Sequence, residues 1–214
     1  MYIMQAKTAK ATLAIVPELI NCLEQGQLVI LPMATVYGVV CHANKPQAIA
    51  NLRKLKNFSQ DQPLAILTRG DRAIEVAILK PSAQQMMAHL PLAITMIVEA
   101  QPHLNPAINL GFKEIFVICP DQFIYDLVGA IPFPLACATA KIGTELIVSF
   151  NEAVRYFSET VAMIVDGGNS LHGRRGTLID FTLEVPTIMS FGPIAVDELR
   201  LLLPEITLPS HLMK

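Results

Sequence analysis

The sequence predicts an α/β protein in which helices flank an open, twisted, mixed β-sheet. Short apolar runs typical of buried strands alternate with amphipathic segments of helical period, which is the pattern of layered α/β folds. Several predicted strands follow one another with only a turn between them, and this favours a mixed sheet over an all-parallel one. The chain has 214 residues, of which 52% are hydrophobic. No linker, repeat or low-complexity block divides residues 1–214, so we expect a single domain with a large core.

The first elements are predicted from their end signals. Gly26 follows the apolar period of residues 13–24 and is expected to end a helix there. Strands are predicted at 27–31 and 36–41. Pro46 is expected to open a helix that extends to Lys56, because proline is favoured in the first helical turn.

Later elements follow from residue type and period. Strands are assigned where apolar and β-branched residues run together, and helices where apolar residues recur every three or four positions. Further strands are predicted at 63–67, 94–98, 114–119, 135–139, 161–165, 177–180 and 187–190, and further helices at 71–78, 82–90, 123–129, 151–157 and 196–203.

The cysteines and apolar runs bear on compartment and metal binding. Cys22, Cys41, Cys119 and Cys137 each lie inside an apolar run, without short spacings between them. This is typical of reduced core thiols, and together with five scattered histidines it predicts no structural metal. The apolar stretch 29–41 is too short to cross a bilayer, and the N-terminal residues lack the pattern of a signal peptide. We therefore expect a cytoplasmic protein without a membrane partner.

Basic residues concentrate between positions 45 and 72. Six lysines and arginines stand there against two aspartates, whereas residues 73–214 hold eight basic and fourteen acidic residues. A basic patch on an otherwise acidic chain indicates an anionic ligand nearby. A solvated helix end is the alternative interpretation.

A polar turn interrupts the first pair of predicted strands. Residues 32–38 read Pro-Met-Ala-Thr-Val-Tyr-Gly. In one interpretation Thr35 and Tyr37 contact a small polar ligand, and Gly38 lets that ligand approach the backbone. In the other, Tyr37 packs under the sheet and Thr35 bonds within its own turn.

This turn and the segments after it resemble the YrdC-like family, the threonylcarbamoyl-AMP synthases of tRNA modification. Residues 32–38 are similar to the family pattern P-T-[DE]-T-x-Y-G, and Lys56 with Pro63 is similar to K-x-R-x(4)-P-L. Further similarities occur in the same order at Thr95, at residues 114–121, at Thr139 and between Asp166 and Asp180. The resemblance covers about residues 13–200, and six motifs in the right order are strong support for the fold.

Several polar positions of the family pattern are changed. Phe58, Ile118 and Ser190 stand where the family has arginine, and neither an apolar ring nor a short hydroxyl replaces the guanidinium fork. The other changes are Met33 and Gly176 at hydroxyl positions, Ala34 at an acidic position and Lys141 at an asparagine position.

The resemblance implies a reaction and a ligand site. Family members join bicarbonate to threonine and transfer the carbamate to the α-phosphate of ATP, which releases pyrophosphate. It therefore implies ATP with Mg²⁺ as a substrate and a nucleotide, with tRNA or another RNA, as partners. Catalytic residues stay unassigned. The ligand-binding residues that it implies are Thr35, Tyr37, Lys56, Thr139, Lys141 and Thr177.

Two functions remain open at this point. The first is a divergent threonylcarbamoyl-AMP synthase, or a relative that uses another acid with ATP. The second is a catalytically inactive nucleotide- or RNA-binding module of the same fold. Each lost charged hydrogen bond costs roughly 1.5–3 kcal/mol, so the changed arginine positions favour the second. With no Trp, and with nine Phe and four Tyr mostly inside apolar runs, a sequence-specific RNA reader is not evident.

Overall fold

The structure, a computed structural model, describes residues 5–56 and 63–209. Its helices are α1 (Val16–Glu24), α2 (Pro46–Lys56), α3 (Pro81–Met87), α4 (Pro106–Asn109), α5 (Gln122–Ala130), α6 (Phe150–Phe157) and α7 (Val196–Leu202). Its strands are β1 (Lys7–Lys10), β2 (Val29–Leu31), β3 (Gly38–His42), β4 (Ala65–Leu67), β5 (Ala77–Ile78), β6 (Leu92–Ala100), β7 (Glu114–Cys119), β8 (Leu135–Thr139), β9 (Lys141–Ile142), β10 (Glu145–Leu146), β11 (Met163–Asp166), β12 (Thr177–Asp180) and β13 (Thr187–Ser190).

One large sheet organises the described part of the chain. Its strand order is β1-β11-β2-β3-β8-β4-β7-β6-β12-β13, and β5 pairs with the end of β6. Parallel pairs such as β2 with β11 occur beside antiparallel pairs such as β3 with β8. The predicted α/β fold with an open, mixed sheet and flanking helices is therefore confirmed.

Buried apolar side chains connect the helices to this sheet. A cluster of such side chains extends along the chain from Ile15 to Ile206. Leu19 and Leu23 of α1 are fully buried, one helical turn apart on the same face. Helices α1 and α2 both pack against β3. The single-domain assignment of residues 1–214 stays a prediction.

The predicted helix at 71–78 is wrong. A short 3-10 turn, Ala73–Glu75, is followed there by strand β5, which pairs with Glu99 and Ala100 of β6. The side chain of Arg72 also donates to the backbone oxygens of Val128 and Ile131, at 2.8 and 2.5 Å. These distant partners override a local helical pattern, as tertiary contacts often do.

Strand β1 was not predicted from the sequence. Its residues read Lys-Thr-Ala-Lys, which is neither an apolar run nor an alternating one. It lies at the edge of the sheet and pairs in parallel with β11. Lysines at an edge strand are typical, because they discourage pairing with another chain.

Candidate ligand-binding cleft

A cleft of about 290 Å³ lies over one face of the sheet. Seven strands that are neighbours in the sheet contribute to its wall, in the order β3, β8, β4, β7, β6, β12 and β13. The residues of β7 show which face of the sheet the cleft occupies. Phe116 and Ile118 line the cleft, whereas Ile115 and Val117, which alternate with them, are buried. Because successive side chains of a strand point to opposite faces, the cleft occupies a single face of the sheet.

Threonine side chains bring hydroxyls to this wall. Thr35 comes from the turn between β2 and β3, Thr95 from β6 and Thr139 from the end of β8. Gly38 pairs with Thr139 in the sheet, so the turn that carries Thr35 lies beside the end of β8. Within the described residues the hydroxyls of Thr35 and Thr139 form no hydrogen bond, which leaves them for a ligand.

Two cationic side chains line the cleft within residues 5–56 and 63–209. Lys141 is half-buried at the start of β9, directly after the β8 residues that form the wall. Arg175 is exposed and lies in the loop between β11 and β12. The cleft therefore has a positively charged rim, although the family's arginine positions at β7 and β13 carry Ile118 and Ser190.

Apolar side chains form the rest of the wall. Ile118, Phe116 and Leu178 come from neighbouring strands of the sheet. A Cβ atom placed on Gly38 would lie 2.6 Å from Cε of Met33 and 2.9 Å from Sγ of Cys137. Met33 therefore covers Gly38 with a thioether, at a position where the family pattern has a hydroxyl.

Tyr37 belongs to the support of the cleft. Its side chain is fully buried, although the residue contributes to the wall. Its hydroxyl donates to the backbone oxygen of Gly168 at 2.8 Å and accepts from the backbone N–H of Gly167 at 3.2 Å. Burial raises the pKa of the Tyr37 hydroxyl. This geometry agrees with the interpretation that Tyr37 packs under the sheet, and its role in ligand binding stays a prediction.

Thr177 does not line the cleft. Its side chain is fully buried, because it alternates with Leu178, which faces the cleft. Its hydroxyl accepts from the N–H of Gly192 at 3.1 Å and donates to the backbone oxygen of Ile194 at 3.2 Å. These bonds join β12 to the segment after β13. The predicted ligand contact of Thr177 is untested, and its buried position argues against it.

Lys56 is the last residue of α2, and its side chain and Phe58 lie outside the described residues. Two other cations of the basic run serve the fold. Arg53 donates to the backbone oxygens of Ala107 and Ile108 at 2.7 and 3.2 Å. Arg69 pairs with Asp71 at 2.5 Å.

Arg72, the last of the basic run, bonds the backbone at the end of α5 and pairs with Glu75 at 3.0 Å. Half of the run is thus committed to internal contacts, so it does not form one continuous anion-binding patch. Lys45 is half-buried and Lys54 is exposed.

Two side chains that matter to the cleft were not predicted from the sequence. Arg175 is absent from the predicted ligand-binding residues. Asp121 was given no role, yet its carboxylate accepts from the N–H of Ala34 in the turn at 2.6 Å. An aspartate before a helical segment signals a helix cap, but its contact with a residue 87 positions away has no local signal.

The described residues contain neither a metal-ligating cluster nor a membrane-spanning helix. No group of three or more His, Cys, Asp or Glu side chains there could hold a metal ion. Likewise, no helix of this part of the chain is long and apolar enough to cross a membrane. All four cysteines are buried and none forms a disulfide, and burial raises the pKa of Cys41 and of Cys119 to about 12.

Comparison with known proteins identifies the family. The Sua5/YciO/YrdC family model, described as "Telomere recombination", matches residues 21–192. The threonylcarbamoyl-AMP synthase of Bos taurus is 27% identical over 202 residues, which are 88% of this chain and 72% of that protein.

Two solved structures share the fold. Sua5 of P. abyssi, complexed with L-threonine, aligns with a TM-score of 0.85 at 23% identity, over 97% of this chain and 63% of that longer chain. E. coli YciO aligns with a TM-score of 0.78 at 16% identity, over 92% of this chain and 99% of that one. The chain belongs to the Sua5/YciO/YrdC family and is related to the threonylcarbamoyl-AMP synthases, as its motifs predicted.

Proposed function

We propose that the cleft binds ATP, with Mg²⁺, together with a small amino acid, and that the protein acts in tRNA threonylcarbamoyladenosine modification in the cytoplasm. The observation that carries this proposal is that Thr35, Thr139, Lys141 and Arg175 line one cleft although they lie far apart in the sequence. The relatives named threonylcarbamoyl-AMP synthase support the reaction class, and the structure of P. abyssi Sua5 with L-threonine supports the amino acid.

The distribution of charge suits such a ligand. Lys141 and Arg175 place positive charge at the rim, where it would neutralise phosphate oxygens. Phe116, Ile118 and Leu178 provide an apolar wall for a nucleoside or an aliphatic side chain. A cleft of about 290 Å³ is at the lower end of small-molecule sites and holds part of a nucleotide while the rest extends into solvent.

A second candidate function is supported by one observation. Ile118 and Ser190 line the cleft without charge where the family pattern has arginine. Transfer to a phosphate needs preorganised cations around the developing charge. A protein that binds ATP through the rim but turns it over very slowly would serve as a nucleotide- or RNA-binding module.

Calorimetric titration with ATP and Mg²⁺, with and without threonine, tests the proposal. Arg175→Ala should weaken ATP binding by about tenfold, because one charged hydrogen bond is lost. Arg174→Ala is the matched control, since this exposed neighbour does not line the cleft. Equal affinity of both variants and the natural chain, or no ATP binding at all, would contradict the proposed site.

A further inference from the structure

Asp121 connects helix α5 to the turn that carries Thr35. One carboxylate oxygen accepts from the N–H of Ile124 at 3.0 Å and so caps the N-terminus of α5. The other accepts from the N–H of Ala34 at 2.6 Å. Pro120, directly before Asp121, lines the cleft. The Asp121 side chain thus accepts one hydrogen bond from its own helix and one from the turn that carries Thr35.

The peptide of Ala34 is held on its other side as well. Its oxygen accepts from the N–H of His172 at 2.8 Å, in the loop that carries Arg175. Asp121, the turn and this loop therefore meet at a single residue. Thr35 follows Ala34 directly, so the position of its side chain on the cleft wall depends on both bonds.

The chemistry of the two bonds requires a carboxylate. Asp121 is acceptor-only when ionised and satisfies both N–H groups with separate oxygens. Bonds to an ionised acceptor are also stronger than bonds between neutral groups. Asparagine caps a helix as well as aspartate does, but it has one oxygen only, so its amide N–H₂ would face the N–H of Ala34. Capping and turn positioning can therefore be separated by one substitution.

Asp121 is half-buried, so its carboxylate loses part of its hydration. Desolvation raises the pKa of the Asp121 carboxyl, while the bonds from the backbone N–H groups of Ile124 and Ala34 act in the opposite direction. The carboxylate therefore loses hydration at the position from which it reaches the turn.

We propose that Asp121 is a positioning residue for ligand binding, which holds the turn so that Thr35 faces the cleft. The inference rests on the proposed function, in that the ligand whose binding it promotes is ATP with Mg²⁺. Asp121 touches no ligand in this account and acts through Ala34.

ATP titration of the variants Asp121→Asn and Asp121→Ala tests the inference. Asp121→Asn should keep the fold, with a smaller fall in melting temperature than Asp121→Ala, but weaken ATP binding by about tenfold. Asp121→Ala should weaken binding and also lower the melting temperature. The control is Asp126→Asn, which removes a negative charge from the same helix. Within residues 5–56 and 63–209, the Asp126 carboxylate accepts from Gln122 alone, at 2.7 Å. If Asp121→Asn binds ATP like the control, Asp121 is a helix cap only and the inference is wrong.

Amide hydrogen exchange provides a readout that does not need a ligand. The N–H of Ala34 should be protected in the natural chain and in Asp126→Asn, and unprotected in Asp121→Asn. Unchanged protection in Asp121→Asn would overturn the inference even if ATP binds. If instead the natural chain fails to bind ATP but the exchange behaves as expected, the proposed function fails while the positioning of the turn by Asp121 stands.

Discussion

The two sides of the cleft differ in what they retain of the family pattern. The side built from the turn, β8 and the loop before β12 keeps Thr35 and Thr139 and adds Lys141 and Arg175. The side built from β7 and β13 has Ile118 and Ser190 at the positions of arginine. The first side is supported by the Tyr37 hydroxyl, which bonds the backbone of Gly167 and Gly168, and the second by the Thr177 hydroxyl, which bonds Gly192 and Ile194. Both sides are thus tied into the fold, and among the described residues the cations of the cleft wall come only from the first side.

The largest effect predicted from this difference concerns turnover. Pyrophosphate release from ATP with threonine and bicarbonate should be very slow or absent, because the side at β7 and β13 supplies no cation. Loss of each charged hydrogen bond costs roughly 1.5–3 kcal/mol, so two lost contacts reduce the rate by about two to four orders of magnitude. The measurement is a coupled pyrophosphate assay on this chain beside an intact family member.

Restoring the arginines at β7 and β13 should recover part of the lost turnover. The double variant Ile118→Arg with Ser190→Arg should release pyrophosphate faster than the natural chain, since both side chains face the cleft. A suitable control is Ile142→Arg, which adds a cation at an exposed position of β9 outside the cleft wall. Full activity of the natural chain would show that Lys141 or Arg175 has replaced the arginines.

The hydroxyls of Tyr37 and Thr177, which bond the backbone beneath the cleft, should affect the free energy of unfolding more than ligand binding. Tyr37→Phe leaves the N–H of Gly167 and the oxygen of Gly168 without their partner. Thr177→Val does the same to Gly192 and Ile194. Each change should lower the free energy of unfolding by about 1–3 kcal/mol, the cost of leaving buried polar groups unpaired.

Thr35→Val is the contrasting variant, because the Thr35 hydroxyl has no partner in the described part of the chain. It should leave the free energy of unfolding nearly unchanged and weaken ATP binding. Denaturant unfolding and titration of all three variants separate the two roles. A strongly destabilised Thr35→Val, or a Thr177→Val variant of natural stability, would show that the roles are assigned wrongly.

Much of this architecture could be predicted from local pattern. The strands at β7, β8, β12 and β13 and helix α2 have the predicted bounds, because apolar runs and a helix-opening proline are local signals. The order of the family motifs predicted that Thr35 and Thr139 lie at the same site. The buried position of Thr177 could not be predicted from the sequence, because it depends on which face of β12 meets the cleft.

Contacts between distant segments explain the remaining differences. The use of Arg53 and Arg72 in capping backbone oxygens requires knowledge of where α4 and α5 end in space. For the same reason, charge counting alone indicated a basic patch where half of the cations serve the fold. The bond from Ala34 to Asp121 is likewise invisible in the sequence.

The smallest predicted effect concerns the end of α2. Lys56→Ala should reduce ATP affinity by a few-fold, and more than Lys45→Ala, because the family resemblance places Lys56, and not Lys45, among the ligand contacts. Both differences should shrink at higher salt, which screens attraction to phosphate. Titration of the two variants at two salt concentrations measures this. Equal affinities would leave the basic run as an ordinary solvated helix end.

We expect nucleotide binding to persist at the polar side of the cleft. A crystal structure of the protein with a non-hydrolysable ATP analogue, Mg²⁺ and threonine tests it most directly. We predict phosphate density within hydrogen-bond distance of Lys141 or Arg175, with Thr35 and Thr139 contacting the ligand. Analogue bound elsewhere, or a cleft without ligand at saturating concentration, would contradict the account.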